Sequence, residues 1–201
     1  MSRRVVISGL GVVSGLGLGM ADTWQGLVAG RSAIDTIKAF DASGYDCQVA
    51  AQVPDYSIKD YVPKTYRKAT KVMARDVELA VIAADLAAKD AALITKGNAA
   101  PDQATTYTPN RVGAQIGAGL IAAELNELTA AMVESRNAET GEFDIHHWGG
   151  QGMQNLFPLW LLKYLPNMLA CHVTIIHEAQ GPSNTITCAE ASGILSIGES
   201  L

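Results

Sequence analysis

A chain of 201 residues with 48% apolar content, 19 glycines and only 6% aromatics is long enough for one buried core and describes an Ala/Gly-rich α/β protein, not a disordered one. Fifteen Lys and Arg against 20 Asp and Glu leave a net charge of −5, which argues against nucleic acid as a partner. Cys47, Cys171 and Cys188 are too few and too widely spaced for a disulfide framework or a CxxC site, which points to a reducing cytosol, and no apolar run approaches the roughly 20 residues that span a bilayer.

The opening Ser2-Arg3-Arg4 is superficially like a twin-arginine export signal, but the run behind it carries Gly9, Gly11, Gly15, Gly17 and Gly19 and no small-residue cleavage site. Val5-Val6-Ile7 predicts a short buried strand. The glycine loop then leads to a helix capped by Asp22 and running to about Ala29. Asp41, Ser43 and Gly44 are turn residues, and Gln48 to Val53 predicts a second strand. Lys64, Arg67, Lys68 and Lys71 form a basic surface segment. The clearest helix follows over about Thr70 to Leu93, with Val77, Val81, Ala84 and Ala88 on one stripe and Arg75, Glu78, Asp85 and Lys89 largely elsewhere.

After a polar loop from Gly97 to Pro109, Arg111 to Gly117 predicts a buried strand, followed by the turn Gly117-Ala118-Gly119 and a helix to about Glu134. Asn137 to Asn155, with His146-His147-Trp148, is read as an inserted surface loop. Leu156 to Tyr164 and Asn167 to Ile176 predict short buried helices separated by Pro166. The last segment predicts a strand from Asn184 to Cys188 and a helix from Ala191 or Ser192 onward. One domain over residues 1 to 201 is expected.

Three constellations carry chemistry. The first glycine loop invites a dinucleotide-binding oxidoreductase alternative, but Gly9-Leu10-Gly11-Val12-Val13-Ser14 places Ser14 where the third glycine of GxGxxG belongs. The histidines do not form a metal set: His172 and His177 lie about 140° apart around a helix, and the adjacent His146 and His147 cannot face one way on regular structure. The segment from Gly181-Pro182 to Ile197-Gly198 is more informative. A short strand passing through small residues into a helix exposes a side chain on a tight turn, while the helix amino end stabilises negative charge.

This elbow resembles the active-site elbow of β-ketoacyl-acyl-carrier-protein synthases of the elongating, synthase II-like, thiolase-fold type. The resemblance also runs through Arg4 to Ser14, Phe40-Asp41-Ala42-Ser43-Gly44-Tyr45, Arg111-Val112-Gly113 with Gly117-Ala118-Gly119, and Pro166 to Val173. It implies the amino-terminal half of a duplicated α/β/α layered fold, with the carboxy-terminal half, which holds two catalytic histidines and a lysine, absent from residues 1 to 201. It also implies that apolar surface for that half is left exposed. Placed without a gap, the family pattern puts Glu190 at the nucleophile position, with Cys188 two residues early and the alternative nucleophile. A thiolate holds an acyl chain as a thioester, whereas a carboxylate would form a water-labile anhydride. Relatives with glutamine at this position act as chain-length factors beside an active synthase or as malonyl-thioester decarboxylases. The resemblance therefore implies a non-condensing role in fatty-acid or polyketide assembly, with a condensing enzyme using Cys188 as the alternative. It further implies acyl-carrier protein as a partner, meeting Lys64, Arg67, Lys68 and Lys71, a homodimer or a heterodimer with an active ketosynthase, Leu120 lining the acyl pocket at the dimer interface, and no metal or organic cofactor.

Overall fold

The computed structural model describes residues 4–201, so Ser2 and Arg3 of the leader-like opening lie outside the described residues. A small hairpin of β1 (Val13–Ser14) and β2 (Gly17–Leu18) enters α1 (Met20–Val28), and β3 (Ile34–Thr36) pairs antiparallel with β4 (Val49–Ala51). Short 3-10 turns between Ile58 and Val72 precede α2 (Arg75–Asp90). The chain continues through β5 (Gln115–Gly117), α3 (Leu125–Glu134), α4 (Ile145–Gly150), a 3-10 turn at Gly152–Asn155, α5 (Trp160–Lys163), α6 (Met168–His177), β6 (Asn184–Ile186) and α7 (Ser192–Glu199).

The core lies between α2 and α6. Val77, Val81 and Ile82 of α2 meet Leu169, Val173 and Ile176 of α6; the α6 set is spaced four and three, and Val77 and Val81 are four apart with Ile82 beside them, so each set lies on one helical face. Each such buried aliphatic side chain contributes roughly 1.5–3 kcal/mol. β5 and β6 run parallel, with Gln115, Ile116 and Gly117 opposite Asn184, Thr185 and Ile186. Both α6 and α7 pack on this pair, giving the layered α/β arrangement that the resemblance implies.

Several local expectations are corrected. Val5, Val6 and Ile7 form no strand and are exposed, Ile7 by 83%, because no strand among the described residues pairs with them. The chain there is instead tied to α2. Leu10 N–H donates to Asp90 Oδ2 at 2.9 Å, and a Cβ on Gly11 would sit 2.0 Å from the Ala83 carbonyl oxygen. The glycine loop folds into the β1–β2 hairpin, with Gly17 and Gly19 at φ 152° and 107°, so these two glycines serve a reversal of the chain. α1 starts at Met20, which puts Asp22 inside its first turn and not at its cap.

α2 is shorter than its periodicity suggests, because Met73 and Ala74 are extended (ψ 133° and 164°) and Ala92 turns left-handed at φ 51°. Asp85, expected on the polar side, is only 4% exposed. It is held by Lys89 Nζ at 2.6 Å. The segment read as an inserted loop contains α4, capped by the Asp144 carboxylate, which accepts from His146 N–H (2.7 Å) and His147 N–H (3.4 Å). Its end is packed, since a Cβ on Gly152 would meet Ser135 Oγ at 2.2 Å. Only Trp160–Lys163 of the expected helix from Leu156 to Tyr164 is helical, and Leu161 is exposed while Lys163 is buried.

Lys163 is paired with the Glu127 carboxylate, whose other oxygen accepts from Tyr164 Oη at 2.7 Å. Burial of Glu127 works to raise its pKa, but the hydrogen bonds from Lys163 and Tyr164 and the lysine charge outweigh it and hold the carboxyl below its usual range. The stabilisation is therefore present above the unfolded carboxylate pKa and is lost as pH falls through the lower folded value. Glu127→Gln should flatten the acid limb of a stability-against-pH curve below about pH 4.5, read by urea unfolding. Gly11→Ala should lower stability by about 1–3 kcal/mol in the same assay. Gly44→Ala, which meets open space, should stay within about 0.5 kcal/mol of the parent.

Candidate acyl-transfer elbow

β6 ends at Ile186, and the chain turns through Thr187 to Ala191 before α7 begins. The turn is closed by four short-range hydrogen bonds. Ala191 N–H donates to the Cys188 carbonyl at 3.0 Å, and Ser192 N–H donates to the Ala189 carbonyl at 3.2 Å. The buried Ser192 hydroxyl accepts from Cys188 N–H at 2.8 Å and donates to the Ala189 carbonyl at 2.7 Å. Ala189 itself is left-handed, at φ 42°, a conformation that costs a non-glycine residue about 1 kcal/mol and marks the point where the chain reverses.

The parallel pair supplies the platform. Gly181 N–H donates to the Val112 carbonyl at 2.7 Å, and Ala114 N–H donates to Ser183 Oγ at 3.0 Å, which fixes where β6 starts. At the other end β5 touches the first turn of α7. A Cβ on Gly117 would lie 2.4 Å from both the carbonyl carbon and the oxygen of Ser192, so only glycine allows this approach. The elbow thus stands at the carboxyl end of two parallel strands, the usual place for a site in an open α/β sheet. The first turn of α7 presents backbone N–H groups there, where a helix favours negative charge.

Cys188 and Glu190 flank the left-handed Ala189, and both are exposed. Cys188 lies in the turn two residues past β6, with its N–H tied to Ser192. Glu190 follows the reversal, two residues before α7 begins. Leu120 lies just beyond β5 and is 94% exposed, on a connection that starts where Ala118 N–H donates to the Ile186 carbonyl at 2.9 Å. Leu120 and the elbow therefore leave the same end of the strand pair. α7 carries Ile194, Ile197 and, just past its end, Leu201 at spacings of three and four residues, all of them exposed.

The basic residues Lys64, Arg67, Lys68 and Lys71 are exposed on the 3-10 turns before α2. Tyr66 among them is hydrogen-bonded to Nδ1 of the buried His172 at 2.8 Å, which pins this stretch to α6. His177 is likewise buried and bonded to Thr95 Oγ1 at 2.7 Å, and burial lowers the pKa of both histidines. His146 and His147 are exposed on α4, and among the described residues no group of three or more His, Cys, Asp or Glu is placed to hold a metal ion. No helix among the described residues is long and apolar enough to cross a membrane. Ser192 and Gly117 were not singled out as site residues from sequence. A serine at a predicted helix start is a hydrogen-bonding signal that would have found the first.

An elbow at the carboxyl end of a parallel pair, covered by α6 and α7, is an α/β arrangement, and its likeness to known proteins makes it thiolase-like. The model for the β-ketoacyl synthase N-terminal domain matches residues 2–201, and the chain belongs to that family. It is 32% identical over 197 residues to a 3-oxoacyl-[acyl-carrier-protein] synthase 2 of Coxiella burnetii, a match that covers 98% of this chain and 41% of the relative. A crystal structure of a β-ketoacyl synthase from Burkholderia phymatum superimposes with a TM-score of 0.69 at 25% identity, over 98% of this chain and 42% of that one. The ishigamide ketosynthase/chain length factor shares the fold at a TM-score of 0.62 and 24% identity, over 98% and 45% of the two chains. The chain thus spans less than half the length of these relatives.

Ser192→Ala leaves Cys188 N–H without its acceptor and should destabilise the protein by about 1–3 kcal/mol in chemical unfolding. Ala189→Gly relieves the left-handed backbone and should leave stability unchanged or raise it by up to about 1 kcal/mol.

Proposed function

We propose that this chain is the amino-terminal part of a non-condensing member of the β-ketoacyl synthase family, acting in fatty-acid or polyketide assembly as a chain-length-factor-like partner or as a malonyl-thioester decarboxylase. The observation that carries the reading is the place of Glu190, immediately after the left-handed Ala189 and just ahead of α7. That is the residue an elbow offers to a substrate at the helix amino end. A carboxylate there could hold an acyl chain only as a water-labile anhydride, but it leaves the N–H groups of the α7 first turn able to stabilise a developing oxyanion or enolate.

The substrate in this reading is an acyl or malonyl group on acyl-carrier protein, the carrier in the name of the Coxiella relative. The exposed Lys64, Arg67, Lys68 and Lys71 meet its acidic surface, and Leu120 lines the acyl path against a partner subunit. That partner is a second copy or an active ketosynthase, the latter a pairing of the kind for which the ishigamide ketosynthase/chain length factor is named. The exposed apolar face of α7 packs against the second half of the duplicated fold, and sequence outside residues 1–201 or a partner supplies the family's histidines and lysine. The setting is the cytosol, with Cys47, Cys171 and Cys188 free thiols.

A specific observation keeps the condensing alternative in view, since Cys188 is a free, exposed thiol one residue from the reversal. In an assay that reconstitutes chain assembly with the full-length protein and an active ketosynthase, Cys188→Ala should leave product yield unchanged. Glu190→Ala should alter product length or malonyl decarboxylation at least several-fold. Loss of product in Cys188→Ala with no effect of Glu190→Ala would establish the condensing reading instead.

A further inference from the structure

The connection between β5 and α3 is held at both ends, and Leu120 stands almost bare between them. At the strand end Ala118 is buried and its N–H donates to Ile186, while Ile121 is buried in the main core. At the helix end Glu124 N–H donates to Tyr164 Oη at 3.2 Å. The same phenol donates to Glu127 Oε2 at 2.7 Å, and the buried Lys163 ammonium takes Oε1 of that carboxylate. Tyr164 and Lys163 are each 8% exposed.

A lysine is seldom this buried without a charged partner, and an apolar residue of similar volume would serve packing at least as well. What the pair adds is orientation. The carboxylate is gripped on both oxygens by adjacent residues, one at the end of α5 and one just past it, so the first turn of α3 can sit on α5 in one way only. The phenol then passes that constraint to the backbone of Glu124, the last residue before α3. Removing its hydroxyl frees the Glu124 N–H and one Glu127 oxygen together, while the strand-end anchor at Ala118 is untouched.

We propose that the Glu127–Lys163–Tyr164 network is a positioning device that sets the connection from Ala118 to Glu124, and through it Leu120, and so governs the acyl length admitted beside the elbow. The specificity part of this rests on the acyl-binding reading of Leu120 given above; the positioning part rests on the hydrogen bonds alone. Two readouts keep the parts separate: amide hydrogen exchange of residues 118–125, and the ratio of affinities for octanoyl- and hexadecanoyl-acyl-carrier protein, both on the full-length protein.

Tyr164→Phe and Lys163→Met should each speed exchange in 118–125 about tenfold or more while α2 is unchanged, and should shift the affinity ratio at least threefold. Lys163→Arg, which keeps the charge and the donors, should restore both. Leu120→Trp should shift the ratio without changing exchange. Unaltered exchange in 118–125 in both network variants overturns the positioning claim, and altered exchange with an unchanged ratio, while Leu120→Trp does shift it, overturns the specificity claim. An unchanged ratio in Leu120→Trp removes the acyl reading of Leu120 and the specificity claim with it, and leaves exchange to decide the positioning claim. Should Tyr164→Phe fail to fold, Glu127→Gln takes its place with the same expected outcomes.

Discussion

The close approach of β5 to the first turn of α7 is the constraint on which the site depends. At Gly117 there is no room for a Cβ, so the strand backbone lies directly against Ser192 and Gly193. That contact places the helix amino end over the carboxyl ends of both parallel strands. It also buries Ser192, whose hydroxyl then has only the turn itself to bond, and the turn uses it to tie Cys188 N–H to the Ala189 carbonyl. The left-handed Ala189 is tolerated because these bonds over-determine it. Strand, glycine, serine and reversal are therefore one unit, and the residues it offers outward are Glu190 and, across the reversal, Cys188.

How much of this was legible in the sequence follows from the strength of each local signal. α2 and α6 could be read because their buried residues repeat at three and four, and that repeat is what packs them together. The elbow could be read because glycine, proline and small residues mark its turn between a short strand and an apolar helix. Val5-Val6-Ile7 misled: β-branched residues favour a strand, but a strand needs a hydrogen-bonded neighbour, and here the adjacent Gly9 and Gly11 seat the chain on α2. β3 carries only three exposed residues and no alternation strong enough to see. Asp85 was placed with the polar residues by its type alone, and only the arrangement of α2 shows that Lys89 keeps it satisfied in a buried position. The Glu127–Lys163–Tyr164 network joins residues 36 and 37 positions apart, which no periodic pattern reveals.

In the proposed reading the chemistry turns on one residue, Glu190. The fold supplies what acyl transfer requires of a scaffold: a tight reversal, a helix amino end and a nearby apolar residue on the same edge of the sheet. A sulfur nucleophile would use all three. A carboxylate forms no durable acyl bond and is anionic without help from the helix end, which leaves that end free for charge developing on a substrate. Ile194 and Ile197 of α7, Leu201 just past its end and Leu120 are exposed apolar residues of the kind found on association surfaces.

The most direct test of Glu190 as the occupant of the nucleophile's place is a gain of covalent chemistry. The double variant Cys188→Ala, Glu190→Cys of the full-length protein, incubated with acyl-acyl-carrier protein and analysed by peptide mass spectrometry, should carry the acyl group at residue 190. The parent protein should carry none at Cys188. Acylation of Cys188 in the parent, with residue 190 unlabelled in the double variant, would contradict the account.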